Sequence, residues 1–357
     1  RSGMFRSAPS GEPADGAFQS APAPDQSSYG YVFDWSHTYA PRALNRVLAA
    51  DLMARAAMEP TAVATTRGDV EVVRGAIFVP LARQDASRDN IHAVMETLAA
   101  EDGVPVHAVT SGLTPRLSDD LGGASFQTLE TPRVVLAFDG GLSRYDAGEI
   151  WWTLDYRHRM PVTLVHKDRL GRLDWDEYTH LVLVGGRSSL SERMTEAVQD
   201  WIRRGGTLIA TRDGARWAEG AILGRKRDED EADAGEAAAD DAPQRLDFAE
   251  MGVRDAEHVI GGAIFAADLD ITHPLGFGFA NRDLPVHRNE SFTLARPEGD
   301  PYAVPVQYVE DPLLTGYASE RRLEEIAGTP SVVAQRMGRG AVILMADNPV
   351  FRGTYPG

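Results

Sequence analysis

One stretch of the chain has the pattern of a nucleophile elbow. The apolar run from His180 to Val184 ends at Gly185-Gly186 and leads into a predicted helix, as in α/β enzymes that present a cysteine or serine after a strand. Arg187 stands at the apex of this turn, and the chain contains no cysteine. Ser188 is therefore the remaining candidate nucleophile, but Leu190 replaces the second glycine of a Gly-x-Ser-x-Gly motif. We expect Ser188 or Ser189 to cap a helix, with a serine hydrolase using Ser188 as the alternative.

Two other segments carry side chains of the kind that bind metals. His287 and Glu290 have the His-x-x-Glu spacing of a zinc site, but a catalytic zinc needs a third protein ligand and no histidine follows His287. Asp268, Asp270 and His273 supply oxygen and nitrogen atoms, yet Thr272 or Asp270 ahead of Pro274 is typical of a capped turn, which we expect here. We predict no metal ligands and no catalytic residue in this chain.

The charge balance argues against nucleic acid as a partner. The chain has 53 acidic against 36 basic residues, a formal net charge of −17, so a phosphate backbone would be repelled. No apolar run approaches the ~18 residues that a membrane span requires, and we therefore predict no span.

The pattern of apolar residues divides the chain into a linker and two α/β domains. Residues 1–27 are mostly small and polar, and we expect a disordered linker. Residues 28–130 are predicted to form a small α/β domain, and residues 131–357 a second domain with a solvated acidic insertion at 225–245. In the second domain, near-continuous apolar strands alternate with helices, which predicts a doubly wound, mostly parallel sheet.

Ligands of such sheets bind at the carboxyl ends of the strands, so the polar residues that follow the predicted strands are candidates for a binding site. Arg187 would direct its guanidinium into the crevice, where a carboxylate matches its donors. The candidate ligand-binding residues are Asp139, Tyr145, Glu149, Arg187, Asp347, Asn348 and Arg352.

Several short motifs follow one another in a specific order along the chain. They are Tyr31-Val-Phe-Asp-Trp35, Tyr39-Ala-Pro-Arg-Ala-Leu44, Gly75-Ala-Ile-Phe-Val-Pro80, Ser143-Arg-Tyr-Asp-Ala-Gly-Glu149 with Trp151, Asp270-Ile-Thr-His-Pro-Leu-Gly-Phe-Gly278 and Ala346-Asp-Asn-Pro-Val-Phe-Arg352. Their order resembles the carboxy-terminal region of large bacterial zinc carboxypeptidases of the carboxypeptidase A type. The similarity extends over roughly residues 29–353, and the second half is similar to class I glutamine amidotransferase domains that lack their cysteine.

The resemblance implies a non-catalytic accessory or binding region of a metallocarboxypeptidase. It places the zinc and the proteolytic activity in a peptidase domain upstream of Arg1, makes that domain and its peptide substrate the partners, and implies a periplasmic or secreted protein. The end from Gly353 to Gly357 differs from the aromatic and Asn-Arg-Leu continuation of the family. A stand-alone peptide- or carbohydrate-binding module remains a further alternative.

Overall fold

The computed structural model describes residues 18–115, 119–225 and 259–353, together with the single positions 247, 252 and 257. Residues 1–17 of the predicted linker and all but the first residue of the predicted acidic insertion lie outside this part. The described chain is an α/β protein with one seven-stranded and one nine-stranded sheet.

The first sheet belongs to the small amino-terminal domain, and all of its paired strands are antiparallel. Its strand order is β4-β3-β6-β1-β5-β2-β7. The strands are β1 (Gly30–Phe33), β2 (Arg55–Ala57), β3 (Thr61–Thr65), β4 (Gly68–Val72), β5 (Ile77–Pro80), β6 (Val106–Val109) and β7 (Phe126–Thr128). The helices are α1 (Ala40–Ala49) and α2 (Arg88–Thr97), and α2 continues into a π-helical turn at Leu98–Asp102.

Alternation along the central strand β1 divides the apolar residues of this domain between two cores. Tyr31 and Phe33 pack with residues of both helices, such as Val47 and Ile91, in one core. Val32, whose side chain points to the opposite face of the strand, belongs to a second core with Phe78 and other strand residues. The helices therefore cover one face of the sheet.

The prediction of a disordered linker up to residue 27 is wrong for residues 18–27. The backbone amide of Ala21 donates to the carbonyl of Ala99 at 2.9 Å, and Asp25 forms an ion pair with Arg67 at 2.9 Å. The Ser27 hydroxyl donates to the carbonyl of Val109 at 2.6 Å. Hydrogen bonds from small polar residues hold this segment against the domain. Such bonds form without large apolar side chains.

The second sheet combines a parallel and an antiparallel part. Its order is β13-β12-β14-β15-β16-β11-β10-β8-β9, and the neighbours from β16 to β9 are parallel. The strands are β8 (Val134–Phe138), β9 (Val162–His166), β10 (His180–Leu183), β11 (Thr207–Thr211), β12 (Ala263–Leu269), β13 (Asp283–Arg288), β14 (Val306–Thr315), β15 (Pro330–Met337) and β16 (Gly340–Met345).

The antiparallel extension from β12 to β15 corrects the expectation of a mostly parallel sheet. β12 alternates strictly between buried and half-buried residues, which is typical of antiparallel strands with one covered face. The five parallel strands, by contrast, coincide with the apolar runs that the sequence contains. Their carboxyl ends lie at one edge of the sheet, which we call the carboxyl edge.

Helices connect the parallel strands and surround a core that includes Leu136, Leu183 and Trp201. They are α3 (Arg144–Trp151), which continues as a π-helical segment at Trp152–Arg157, α4 (Glu192–Arg204) and α5 (Asp213–Ala221). A shorter helix, α6 (Glu320–Ile326), lies beside β14. No helix in the described ranges has both the length and the apolar character needed to cross a membrane.

The two domains contact each other around Trp35. A Cβ atom at Gly278 would lie 2.9 Å from Cδ1 of Trp35, and one at Gly75 would lie 2.9 Å from Cβ of Phe277. A second contact is the hydrogen bond from Asn45 Nδ2 to the carbonyl of His158 at 3.3 Å. The loop that contains Phe277 and Gly278 is thus held against the first domain.

Candidate functional site

The strained turn of the second domain lies at Arg212, between β11 and α5. Arg212 has φ 55° and ψ −129°, a conformation that residues with a side chain rarely adopt and that costs roughly 1–3 kcal/mol. Two residues later, a Cβ atom at Gly214 would lie 2.7 Å from the carbonyl oxygen of Leu183. A nucleophile elbow has this geometry: a strained residue follows a strand, and a glycine that packs closely on neighbouring backbone comes next, before a helix.

The elbow is therefore not at Arg187, where the sequence pattern placed it. β10 ends at Leu183 and α4 begins only at Glu192, so a longer connection replaces the direct turn from strand to helix. Ser188 is buried, and its hydroxyl lies 2.9 Å from the carbonyl oxygen of Val184. The predicted helix cap at Ser188 or Ser189 is also wrong, because Ser191 occupies the residue before the helix.

The Arg212 side chain forms ion pairs with two carboxylates. Its Nη1 lies 3.0 and 2.9 Å from the two oxygens of Asp146, which belongs to the first turn of α3. Its Nε donates to Oε1 of Glu290 at 2.7 Å. The exposed fractions of the three side chains are 20% for Arg212, 5% for Asp146 and 17% for Glu290. Burial raises the pKa of Glu290, and the nearby guanidinium opposes this shift.

A second ionic network lies deeper in the sheet, at Arg288, Tyr308 and Asp347. Arg288 Nη1 donates to the Tyr308 hydroxyl at 2.9 Å and lies 3.4 Å from Oδ1 of Asp347. The Tyr308 hydroxyl also donates to Asp347. Burial raises the pKa of both Asp347 and Tyr308. Asp347, which we expected at an exposed ligand site, is instead buried and bound within the protein.

Four of the predicted site residues do come together, beside α3. Glu149 accepts a hydrogen bond from Asn348 Nδ2 at 2.6 Å and another from the backbone amide of Arg352. Burial raises the pKa of Glu149. Tyr145, Glu149 and Arg352 line one hollow of about 450 Å³, which we call the α3 hollow. Its other lining residues are Arg144, Gly148, Trp152 and Gly353.

The remaining candidates lie apart from this hollow or only at its border. Asp139 forms an ion pair at 2.9 Å with Arg144, which lines the hollow and holds the pKa of Asp139 below its usual value. Arg187 is exposed, and its carbonyl accepts a hydrogen bond from the Lys167 ammonium. Arg187 does not line the hollow.

The two segments with side chains of the kind that bind metals are used in other interactions. Glu290 binds Arg212, whereas the His287 ring stacks on Phe351 with a centroid distance of 3.8 Å. Asp270 accepts hydrogen bonds from the amide of Thr272 at 2.9 Å and from its hydroxyl at 2.7 Å, which confirms the capped turn. In the part of the chain that the structure describes, no group of three or more His, Cys, Asp or Glu side chains is placed to hold a metal ion.

Sequence reasoning missed Asp146, Arg212, Arg288 and Tyr308, and it considered Glu290 only as a metal ligand. The Arg212 turn did carry a signal, because Gly214 stands at the position of the second glycine of an elbow and follows the apolar strand β11. The partners of Arg212 carried none, since Asp146 and Glu290 are separated from it by 66 and 78 residues.

Comparisons with known proteins leave the family open. The chain matches no known protein-family model and no curated protein. A ThuA-like protein from Parabacteroides merdae is 14% identical with a TM-score of 0.38, over 61% of this chain and 79% of that chain. A β-galactosidase from Rahnella sp. R3 is 15% identical with a TM-score of 0.28, over 60% of this chain and 28% of that chain. The chain spans between 28% and 33% of the length of the β-galactosidases to which it is similar. At these TM-scores, the similarities assign neither family nor function.

Proposed function

We propose that this chain is a non-catalytic binding region of a zinc metallocarboxypeptidase. The observation that carries the non-catalytic assignment is the position of Arg212 at the apex of the elbow, where Asp146 and Glu290 bind its guanidinium. A nucleophile is missing from that apex. The serine alternative is disfavoured because the Ser188 hydroxyl is buried and hydrogen-bonded to backbone carbonyls.

The fold supports a binding role at the carboxyl edge. We propose that residues 131–353 form a doubly wound domain of the amidotransferase type, extended by the antiparallel strands β12–β15. Sheets of that type bind ligands beyond the carboxyl ends of their strands. The α3 hollow lies there, because α3 follows β8 and Arg352 follows β16.

The chemistry of the α3 hollow suits a peptide with a free carboxyl terminus. Tyr145 is 87% exposed, and the neighbouring Trp152 adds a second aromatic surface. Tyrosine, tryptophan and arginine are the residue types that most often dominate binding energy. Among the described residues, no carboxylate forms an ion pair with Arg352, so its planar donors are available for a carboxylate ligand. The peptidase domain, its zinc and a periplasmic or secreted location are parts of the same proposal.

Calorimetric titration with a peptide that has either a free or an amidated carboxyl terminus tests this function. We expect the free peptide to bind more tightly, and Arg352→Ala to weaken it by about tenfold, the loss of one charge-assisted hydrogen bond. Tyr145→Ala should also weaken binding. Arg187→Ala and Tyr302→Ala are matched controls, because Arg187 is exposed outside the hollow and Tyr302 is 81% exposed. Equal affinity for the two peptides, or equal losses in the controls, would contradict the proposal.

A carbohydrate-binding module is the second candidate. Trp152 and Tyr156 stack at a centroid distance of 6.0 Å and both are exposed, which is a surface on which an apolar sugar face can pack. Binding of a neutral oligosaccharide that Trp152→Ala abolishes, without binding of either peptide, would favour this candidate.

A further inference from the structure

A separate cavity of about 130 Å³ lies between the antiparallel strands and the carboxyl end of β16. Its walls are apolar side chains of four strands, including Leu269, Leu284, Val286, Val306 and Val332. It has no lining residue in common with the α3 hollow. The proposed peptide site therefore does not account for it.

The polar part of the cavity lining carries no net charge. It consists of His287, Ser331, Asp347 and Asn348. The negative charge of Asp347 is balanced by Arg288, and burial lowers the pKa of His287, which favours its neutral ring. A charged ligand would lose its hydration without gaining an opposite charge, whereas the hydroxyl of a neutral ligand can form a hydrogen bond with these polar residues.

The mouth of the cavity is formed by the loop between β12 and β13. Leu275 and Phe279 line the cavity and are each 39% exposed. Gly278 in the same loop packs against Trp35 of the first domain, so the interdomain contact holds the mouth in position. Ligand sites are commonly preformed and apolar, with a few polar groups that orient the ligand.

We propose that this cavity binds a small neutral molecule that carries a phenol group, with the ring between the apolar walls and the hydroxyl beside His287 and Ser331. A cavity of about 150 Å³ with apolar walls holds benzene, so a single ring matches the space. The phenol group comes either from a free small molecule or from the side chain of a tyrosine in a peptide. This site goes beyond the proposed function and does not depend on it.

Titration of the full chain with phenol and with toluene, followed by protein NMR, tests the site. The two probes have the same number of heavy atoms, and we expect phenol to bind about three to ten times more tightly because of one additional hydrogen bond. Val286→Phe should abolish binding by filling the cavity. Val73→Phe, at an exposed position of the first domain, should leave it unchanged.

Three results would overturn the proposal: no binding of phenol, equal binding of toluene, or unchanged phenol binding in Val286→Phe. Should Val286→Phe fail to fold, Val332→Leu enlarges another wall residue by one methylene and is expected to weaken phenol binding several-fold. Arg352→Ala should not alter phenol binding, which separates this site from the α3 hollow. Competition with p-cresol and with a tyrosine-containing peptide identifies the source: competition by p-cresol alone indicates a free molecule, and competition by both indicates a tyrosine side chain.

Discussion

Arg212 Nη1 lies 2.9 Å from Oδ2 of Asp146, and this ion pair joins the apex of the elbow to the first turn of α3. The pair occupies the place where an enzyme with this turn would present its nucleophile. Because the three side chains are largely buried, removing Arg212 leaves Asp146 and Glu290 with unbalanced charges in a medium of low polarity. The ion pair thus connects the elbow to α3 at the carboxyl edge of the sheet.

Replacing Arg212 tests both the ion pairs and the backbone strain. We expect Arg212→Ala to lower the free energy of unfolding by about 2–4 kcal/mol, because Asp146 and Glu290 lose their common partner. Arg212→Gly loses the same ion pairs but adopts the positive φ without strain, and should therefore be more stable than the alanine variant by about 1 kcal/mol. Urea unfolding of the two variants measures both free energies of unfolding. A glycine variant no more stable than the alanine variant would show that the turn is not strained.

The buried position of Asp347 predicts a large cost for its removal. Asp347→Ala leaves Arg288 as an unbalanced buried charge, and we expect a loss of about 3–5 kcal/mol. Asp268→Ala is the matched control, since Asp268 pairs with Arg282 at 2.6 Å but both side chains are about half exposed, and its loss should stay below about 1 kcal/mol. Chemical unfolding of the two variants, measured side by side, compares their losses of free energy of unfolding. Equal losses would mean that Asp347 is not buried in solution.

Stability should fall in mild acid because of His158. Burial, and to a smaller extent Arg157 and Arg42, lowers the pKa of His158 from 6.5 to about 4, so the folded state binds fewer protons than the unfolded state. The contribution is fully present above pH 6.5 and is lost as the pH falls toward 4. After allowance for the exposed part of the ring, it amounts to about 1–2 kcal/mol. In His158→Gln, the free energy of unfolding should therefore fall less between pH 7 and pH 4 than it does in the unchanged protein. An equal fall in both proteins would contradict the assignment to His158.

The interdomain contact predicts different effects for two glycines with positive φ. Gly278 has φ 89° and faces Trp35. Gly299 has φ 78°, and a Cβ atom at this position would have no neighbouring atom within 4 Å. Gly278→Ala and Gly299→Ala incur a similar backbone cost of about 1 kcal/mol, but only the first displaces Trp35. We expect the Gly278 variant to unfold at a clearly lower temperature. Equal thermal midpoints would indicate that the domains do not pack through this contact.

The buried hydroxyl of Ser188 predicts no reaction with a fluorophosphonate probe. Its oxygen lies 2.9 and 3.0 Å from two backbone carbonyls and is shielded from solvent. Incubation of the chain with the probe should give no labelling, with an active serine hydrolase as the positive control. Labelling that disappears in Ser188→Ala would restore the hydrolase alternative.

The parallel part of the second sheet was predictable from local sequence. Strands β8, β9, β10, β11 and β16 are short apolar runs separated by helical segments, and parallel connection of such runs places their carboxyl ends together. The gathering of Tyr145, Glu149, Asn348 and Arg352 follows from that rule, because each comes shortly after one of these strands. The four antiparallel strands were harder to predict, since β13 contains several polar residues and the alternation in β12 is one of burial rather than of residue type.

The sequence alone determined that the chain has no thiol, that its net charge is negative and that polar residues follow the apolar strands. Only the tertiary structure decided which of those residues are exposed, paired or strained. Asp347 is buried with Arg288 of β13 and Tyr308 of β14, which are 59 and 39 residues away in the sequence and bind it. Likewise, the strain at Arg212 is maintained by partners from two distant segments. Burial and ion pairing depend on which segments pack together, and a local pattern of residue types does not contain that information.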